Sequence, residues 1–353
     1  MQILGIKFKF FPIFSQLKML YLPTEVQLDV LKCLNFNQLF DIKQTNLYLL
    51  NLINKFEGEL ARQEFIQIAL VDHYMLVGLH PSEFIEPESG IFEFTLLDQL
   101  KNKWQAAIDK SIPLFLHYFE PNRECICIAI VNEKCHSVLK LPIIPKNIKE
   151  MIIVRCWLEK LFNCAFGYAS FYKNIFNPEM INILFDDDKT IPLQFNIKRV
   201  ILWSNYTVTK IFESALKFSL NHLSISESLS INLDATSEQY TDILFNTLIN
   251  EGNKFPKISL NFQTTSLYNL IVKYVTTSKD CSKIVPFIHF DRISAINFKL
   301  NERAEKIEID QSNGNNSTKY QIVNIHNPKA RFEFYNREGY DGSFYIQIRK
   351  IKV

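Results

Sequence analysis

Residues 22–60 read LPTEVQLDVLKCLNFNQLFDIKQTNLYLLNLINKFEGEL, and three short helices follow from that order. Thr24-Glu25-Val26-Gln27 fits a capping box, in which the Thr hydroxyl takes the amide three residues on and Gln27 reaches back. Val26, Val30, Leu31 and Leu34 then fall on one helical stripe. Asn35-Phe36-Asn37 breaks the pattern, and Asn37 can cap a second helix carrying Leu39, Phe40 and Ile42. Thr45-Asn46 offers a cap for a third, continued by Leu50, Ile53, Phe56 and Leu60. With so little chain between them, the helices are expected to form a small orthogonal bundle over residues 20–65. Such a unit is too small to bury much core and leans on a partner or on the rest of the chain.

Outward from this bundle the character changes on both sides. The preceding segment, MQILGIKFKFFPIFSQLK, has its apolar stretch interrupted by Lys7 and Lys9 and lacks a small-residue cleavage site, so residues 1–19 read as an extension rather than a signal peptide. Met19 is as good a start as Met1. Residues 66–90 read as helix and linker, because GLHPSEFIEPESG at 78–90 gathers Pro, Gly and Ser in a short space.

Residues 91–353 form the larger part. A helix is expected around Thr95–Lys110, then strands at Ile112–Phe119, Cys125–Val131 and Ser137–Leu141. Ile148–Phe162 fits either a strand and helix in series or one buried helix. Beyond it, strands and helices alternate: Arg199–Trp203, helix Val208–Leu220, Leu223–Ile225 and Leu229–Leu233, helix Glu238–Asn250, Lys257–Phe262, helix Leu267–Thr276, Pro286–Phe290. Ile201, Ile231, Ile258 and Ile288 sit at the strand centres and recur roughly every 30 residues, the spacing of irregular, leucine-rich-repeat-like α/β repeats stacked side by side. From about 305 to 353 the pattern turns to period two, with hairpin residues at Asn313–Asn316, Asn327-Pro328 and Gly339–Gly342. An antiparallel cap over the last repeat is the expectation. The fold class is thus α+β and α/β in one chain: helical bundle, α/β repeats, β cap.

Composition sets limits on function. Of 353 residues, 47% are hydrophobic, enough for two buried cores, while the formal net charge of +2 leaves no excess for a phosphate backbone. Nucleic acid is therefore not an expected partner. The seven cysteines are scattered and odd in number, which fits a reducing compartment, cytoplasmic or nuclear. No run reaches the ~18 apolar residues of a membrane span.

The helical segment resembles an F-box. The family pattern of an LP pair, a Glu two residues on, apolar residues toward the end of helix one and further apolar positions beyond the break falls on Leu22, Pro23, Glu25, Val30, Leu31, Leu34 and Leu39, and continues at Ile42, Leu49 and Leu50 without a gap. Leu47-Tyr48 and Leu49 stand where the family has a basic pair and a Trp. An N-terminal F-box followed by a long repeat-like region is also similar in layout to the expanded F-box families of roundworms. The resemblance implies that these ten residues bind a Skp-family subunit and, through it, a cullin. The remainder would then recognise an unidentified protein substrate, making the chain a non-catalytic ubiquitin-ligase adaptor. Two other readings stand beside it: a repeat-type interaction scaffold capped by its N-terminal helices, and an enzyme of unrecognised type.

Sites for chemistry are sparse, and no cofactor, metal or catalytic set is expected. Cys125, Cys127, Cys135 and His136 could be drawn as zinc ligands, but CICIAIV alternates like a strand, and one-residue spacing splays the thiols. Asp186-Asp187-Asp188 reads as a solvated turn closing a Pro178–Phe185 helix. Ser137 and Lys140 spell S-x-x-K, yet three residues apart on a strand they point to opposite faces. The chain holds no H-E-x-x-H, G-x-S-x-G, P-loop or G-x-G-x-x-G.

Overall fold

The computed structural model describes residues 20–351 except 72–82, 90–93, 118–123, 134, 173, 187–190, 205–208, 234–236, 262–264, 294–299, 312–315 and 340–341. The chain divides into two compact units, Met1–Gln63 and Glu64–Val353.

The first unit holds three helices: α1 (Thr24–Lys32), α2 (Phe36–Lys43) and α3 (Leu47–Lys55). Pro23, at φ −54° and ψ 148°, sets the extended entry to α1, and no side chain caps that helix, so the expected Thr24–Gln27 box does not form. The capping box lies one helix later. Asn35, not Asn37, accepts from the Gln38 amide at 3.0 Å, and the Gln38 side chain accepts from the Asn35 amide. Asn46 caps α3 as expected, accepting from the Leu49 amide at 2.8 Å. Leu31, Leu39, Leu49, Leu52, Ile53 and Leu60 make the core, with Leu20, Leu28, Leu34, Ile42 and Phe56 packed against it. Lys32 pairs with Glu59 at 2.8 Å at the surface.

The second unit is built on one thirteen-stranded mixed sheet. The expected helix and linker over 66–90 gives way to strand β1 (Gln63–Val71), which lies inside that sheet. Phe65–Val71 is a nearly continuous apolar run, which suits a strand buried on both faces as well as it suits a helix. Residues 72–82 and 90 of the expected helix and linker lie outside the described residues, and β2 (Glu83–Ile85) follows as an edge strand. After α4 (Asp98–Asp109), β3 (Phe115–His117) begins three residues later than expected and leaves the main sheet, while residues 118–119 of the expected strand lie outside the described residues. β4 (Cys125–Val131) and β5 (His136–Pro142) form an antiparallel pair, with β4 on β1 and β5 on β2. Ile148–Phe162 resolves as the single helix α5, buried on most sides.

The central part is parallel. β6 (Cys164–Phe171) follows α5; β7 (Asn174–Phe176) pairs with β3 in a separate two-stranded sheet, and α6 spans Pro178–Leu184. Then come β8 (Phe195–Ser204), α7 (Thr209–His222), β9 (Leu223–Leu233), α8 (Thr241–Asn250), β10 (Ile258–Asn261), α9 (Thr265–Thr277) and β11 (Phe287–Ile293). β6, β8, β9, β10 and β11 lie side by side, all parallel. An antiparallel meander ends the chain: β12 (Ala304–Asp310), β13 (Ser317–Val323), β14 (Arg331–Glu338) and β15 (Phe344–Ile351), of which β15, the last, docks on β11. Gly342, at φ +73°, makes the β14–β15 reversal; Gly339 and Ser343 close it through a 2.7 Å backbone bond.

Register aligns the core across eight of the thirteen strands. Ala169, Val200, Leu229, Ile258, Ile288, Ile348, Phe334 and Tyr320 stand in one row across eight strands, every one buried. The neighbouring positions face the other way and are half-buried or exposed. From β8 outward the sheet therefore has one face in the core and one open face. No helix among the described residues is long and apolar enough to cross a membrane.

One close approach gives a direct test of this packing. Gly252 follows α8, and a Cβ there would fall 2.4 Å from the Val285 nitrogen, which donates to the Leu248 carbonyl at 3.1 Å. Backbone cannot yield as a side-chain tip can, so Gly252→Ala is expected to cost about 1–3 kcal/mol in denaturant unfolding. Wild-type stability in that variant would contradict the packing described.

Candidate functional site

The first unit carries an apolar surface that its own core does not need. On α1 the buried seam runs through Gln27, 2% exposed, and Leu31, while Val26 and Val30 lie a turn apart on the outside and Leu22, in the turn before the helix, is exposed as well. The expected single stripe of Val26, Val30, Leu31 and Leu34 is thus divided, because Gln27 takes a core position. Its reason is polar. The Gln27 amide donates to the Leu22 carbonyl at 2.7 Å and accepts from the Tyr48 hydroxyl at 2.9 Å. One buried side chain thereby fixes the Leu22-Pro23 turn to α1 and to the start of α3. Around it Tyr21, Leu22 (40% exposed), Val26 (42%), Val30, Leu47 (70%) and Tyr48 remain outside.

The ten residues expected to meet a partner fall into two sets. Leu22, Pro23, Glu25 and Val30 are exposed, and Leu34, Ile42 and Leu50 are half-buried. Leu31, Leu39 and Leu49 are buried in the bundle, so they shape the surface from within and do not line it. Val26, Leu47 and Tyr48 are surface members missing from the expected set. The four-residue spacing of Val26 from Val30 within the helix is the available signal for the first; the other two stand where the family pattern carries different residue types.

The sequence's other candidates do not converge. Cys127 is buried opposite Lys140, whereas His136 pairs with Val131 at the far end of β4. Four residues of strand, ~13 Å, separate those positions. The Cys135 sulfur instead accepts from the Asn132 amide at 3.2 Å. No group of three or more His, Cys, Asp or Glu among the described residues could hold a metal ion. Asp186 pairs with Lys103, and Asp187 and Asp188 lie outside the described residues. Ser137 is buried and Lys140 half-buried. Burial pushes the Cys156 thiol up to about 11, which keeps it in the weakly nucleophilic protonated form.

Two histidines make stability pH-dependent. His222 is buried with Nδ1 2.9 Å from the Leu193 carbonyl, and its Nε2 meets no hydrogen-bond partner. Desolvation holds its pKa below the ordinary 6.5, outweighing the Leu193 contact. Burial, then Lys257, lowers that of His289 as well. The folded state therefore binds fewer protons than the unfolded chain. The stability this represents is present above pH ~6.5 and is lost as pH falls through the folded-state values. Melting temperature is expected to drop from pH 7 to pH 5, and less so in His222→Asn, which keeps a donor for Leu193. An identical pH slope in the variant would remove His222 from the account.

A family model described as a domain of unknown function, DUF8381, matches residues 85–234. The match runs from the last residue of β2 through β9 and leaves out the helical unit, β1 and the strands from β10 onward. No curated protein and no solved structure matches the chain.

Proposed function

We propose that the chain is the substrate-recognition adaptor of a Skp–cullin–F-box ubiquitin ligase. Its helical unit would bind a Skp-family subunit and, through it, a cullin; the unit from Glu64 on would take a protein substrate. The observation that carries this reading is the exposed apolar set of Leu22, Val26, Val30, Leu47 and Tyr48 on a bundle whose core is made by other residues. Apolar side chains gathered on the outside of so small a unit favour a protein partner. Gln27 supports it further, since a core polar group anchoring the Leu22-Pro23 turn holds that surface in one shape. For the larger unit, we read β8–α7, β9–α8 and β10–α9 as stacked strand–helix repeats, because Val200, Leu229, Ile258 and Ile288 stand adjacent in the sheet at intervals of about 30 residues. Repeats of this kind present an open face to which substrates can bind.

The test is whether purified full-length chain and a purified Skp-family subunit elute from a sizing column as one complex. Separate elution at micromolar concentrations of both would leave the scaffold reading in its place.

A further inference from the structure

We propose that the open face of β10, β11, β15, β14 and β13 docks an acidic peptide segment. The inference deepens the adaptor reading by naming a class of substrate, and it rests on that reading only for the biological role.

Register brings the cations together. Phe287, Arg349, Glu333 and Gln321 form one row across β11, β15, β14 and β13. Lys257 immediately precedes Ile258, the partner of Ile288, and so stands beside Phe287 at the β10 end. The Lys257 ammonium lies 5.0 Å from the Phe287 ring centre and the Arg349 guanidinium 5.2 Å from the same ring. Two like charges on one ring are within about a Debye length of each other at ~0.1 M salt. The ring's negative face offsets part of their repulsion. A bound anion would remove it.

The next row continues the same charge. Arg331 pairs with Ile351 and Val323, two positions along β14 from Glu333 and therefore on the same face. There an open depression of ≈ 430 Å³ is lined by Lys306, Gln321, Pro328, Lys329, Arg331 and Ile351, three of them cations, with Glu305 beside it as the cross-strand partner of Gln321. Glu333, the acid between the two groups, is held by Lys319 at 3.2 Å. Among the described residues, Lys257, Arg349, Lys306, Lys329 and Arg331 form no ion pair. In a chain whose formal net charge is +2, five such cations, set against Glu305 and the Lys319-paired Glu333 on the same row, mark a local surplus.

Geometry selects a short extended peptide. From β10 to β13 the row crosses four inter-strand steps, ~19 Å, which an extended chain covers in about six residues. Acids near both ends of such a segment would meet the Lys257–Arg349 pair and the depression, and neutral residues would pass Glu333. A phosphate backbone carries its charge continuously and would meet Glu333 and Glu305 on the way, which disfavours nucleic acid.

The probe is a fluorescein-labelled decapeptide with three Glu at each end and four Ser between them, titrated with full-length chain and followed by anisotropy. Its Gln–Ser counterpart and a ten-nucleotide single-stranded RNA are run in parallel. Saturable binding of the acidic peptide is expected, at least tenfold weaker in Lys257→Gln/Arg349→Gln and in Lys329→Gln/Arg331→Gln, with melting temperatures unchanged. Absence of saturation at 50 mM salt, binding by either variant as tight as by the native chain, or tighter binding of the RNA would overturn the proposal. Skp capture is measured on the same samples. Lost capture with peptide binding intact counts against the adaptor reading alone; lost peptide binding with capture intact counts against this inference alone.

Discussion

A fragment comprising residues 64–353 is expected to be soluble and to melt in one cooperative step, whereas 90–353 is expected to aggregate. The difference is β1. It lies between β6 and β4 in the sheet, with Ile68 and Leu70 fully buried and Gln67–Val71 in register with Cys127–Val131. Removing it takes away ~3–6 kcal/mol of apolar burial from those two side chains alone, a large part of the ~5–15 kcal/mol by which domains are stable. It also cuts the sheet into two pieces, each with a new unpaired edge open to aggregation. The loss extends to the segment after it, where Pro87 accepts from the Trp157 indole at 2.9 Å. The contact division at Gln63/Glu64 places the boundary accordingly. If 90–353 melts as cooperatively as 64–353, β1 is dispensable and the sheet order given above is wrong.

That boundary shows where the sequence was legible and where it was not. Strands with one open face announced themselves by period two, as in Arg331–Glu338 and Phe344–Ile351, because solvent marks every other residue. β1 carries no such mark over Phe65–Val71, and the Pro/Gly/Ser cluster after it drew the boundary too far along. β6 escaped for a related reason. CAFGYASF contains a Gly that reads as a breaker, yet Gly167 is where the chain passes close to β1; a Cβ there would lie 3.1 Å from the Ile66 carbonyl. β9 was divided in two because Ser226-Glu227 breaks the alternation, and the structure absorbs that break as a register shift between Ile197/Ile225 and Arg199/Ser228. The bundle was readable to the level of its helices. Which residues face out was not, since a buried Gln27 reverses what helical periodicity implies for Val26 and Val30. The cationic face was invisible in sequence, because Lys257, Arg331 and Arg349 meet only through pairing between distant strands.

The second large effect separates the two sets of residues in the helical unit. Leu31→Ala and Leu49→Ala each remove a fully or nearly fully buried side chain from a core of six, at about 2–5 kcal/mol. A unit of this size cannot absorb that, so both are expected to lose the helical signal of residues 20–63 and, with it, any capture of a Skp-family subunit. Val26→Asp/Val30→Asp should behave differently. Both positions are exposed, so the bundle should remain folded, as far-ultraviolet circular dichroism and the thermal melt of the full chain would report. Only the surface changes.

The most direct measurement is therefore a titration of a purified Skp-family subunit into full-length chain and into the folded Val26→Asp/Val30→Asp variant, by calorimetry. Each apolar side chain buried on docking contributes ~1–3 kcal/mol, and 1.4 kcal/mol is a tenfold change. The account predicts saturable binding by the native chain and at least about a hundredfold weaker binding by the variant. Equal heats for the two proteins, or none for either, would contradict it.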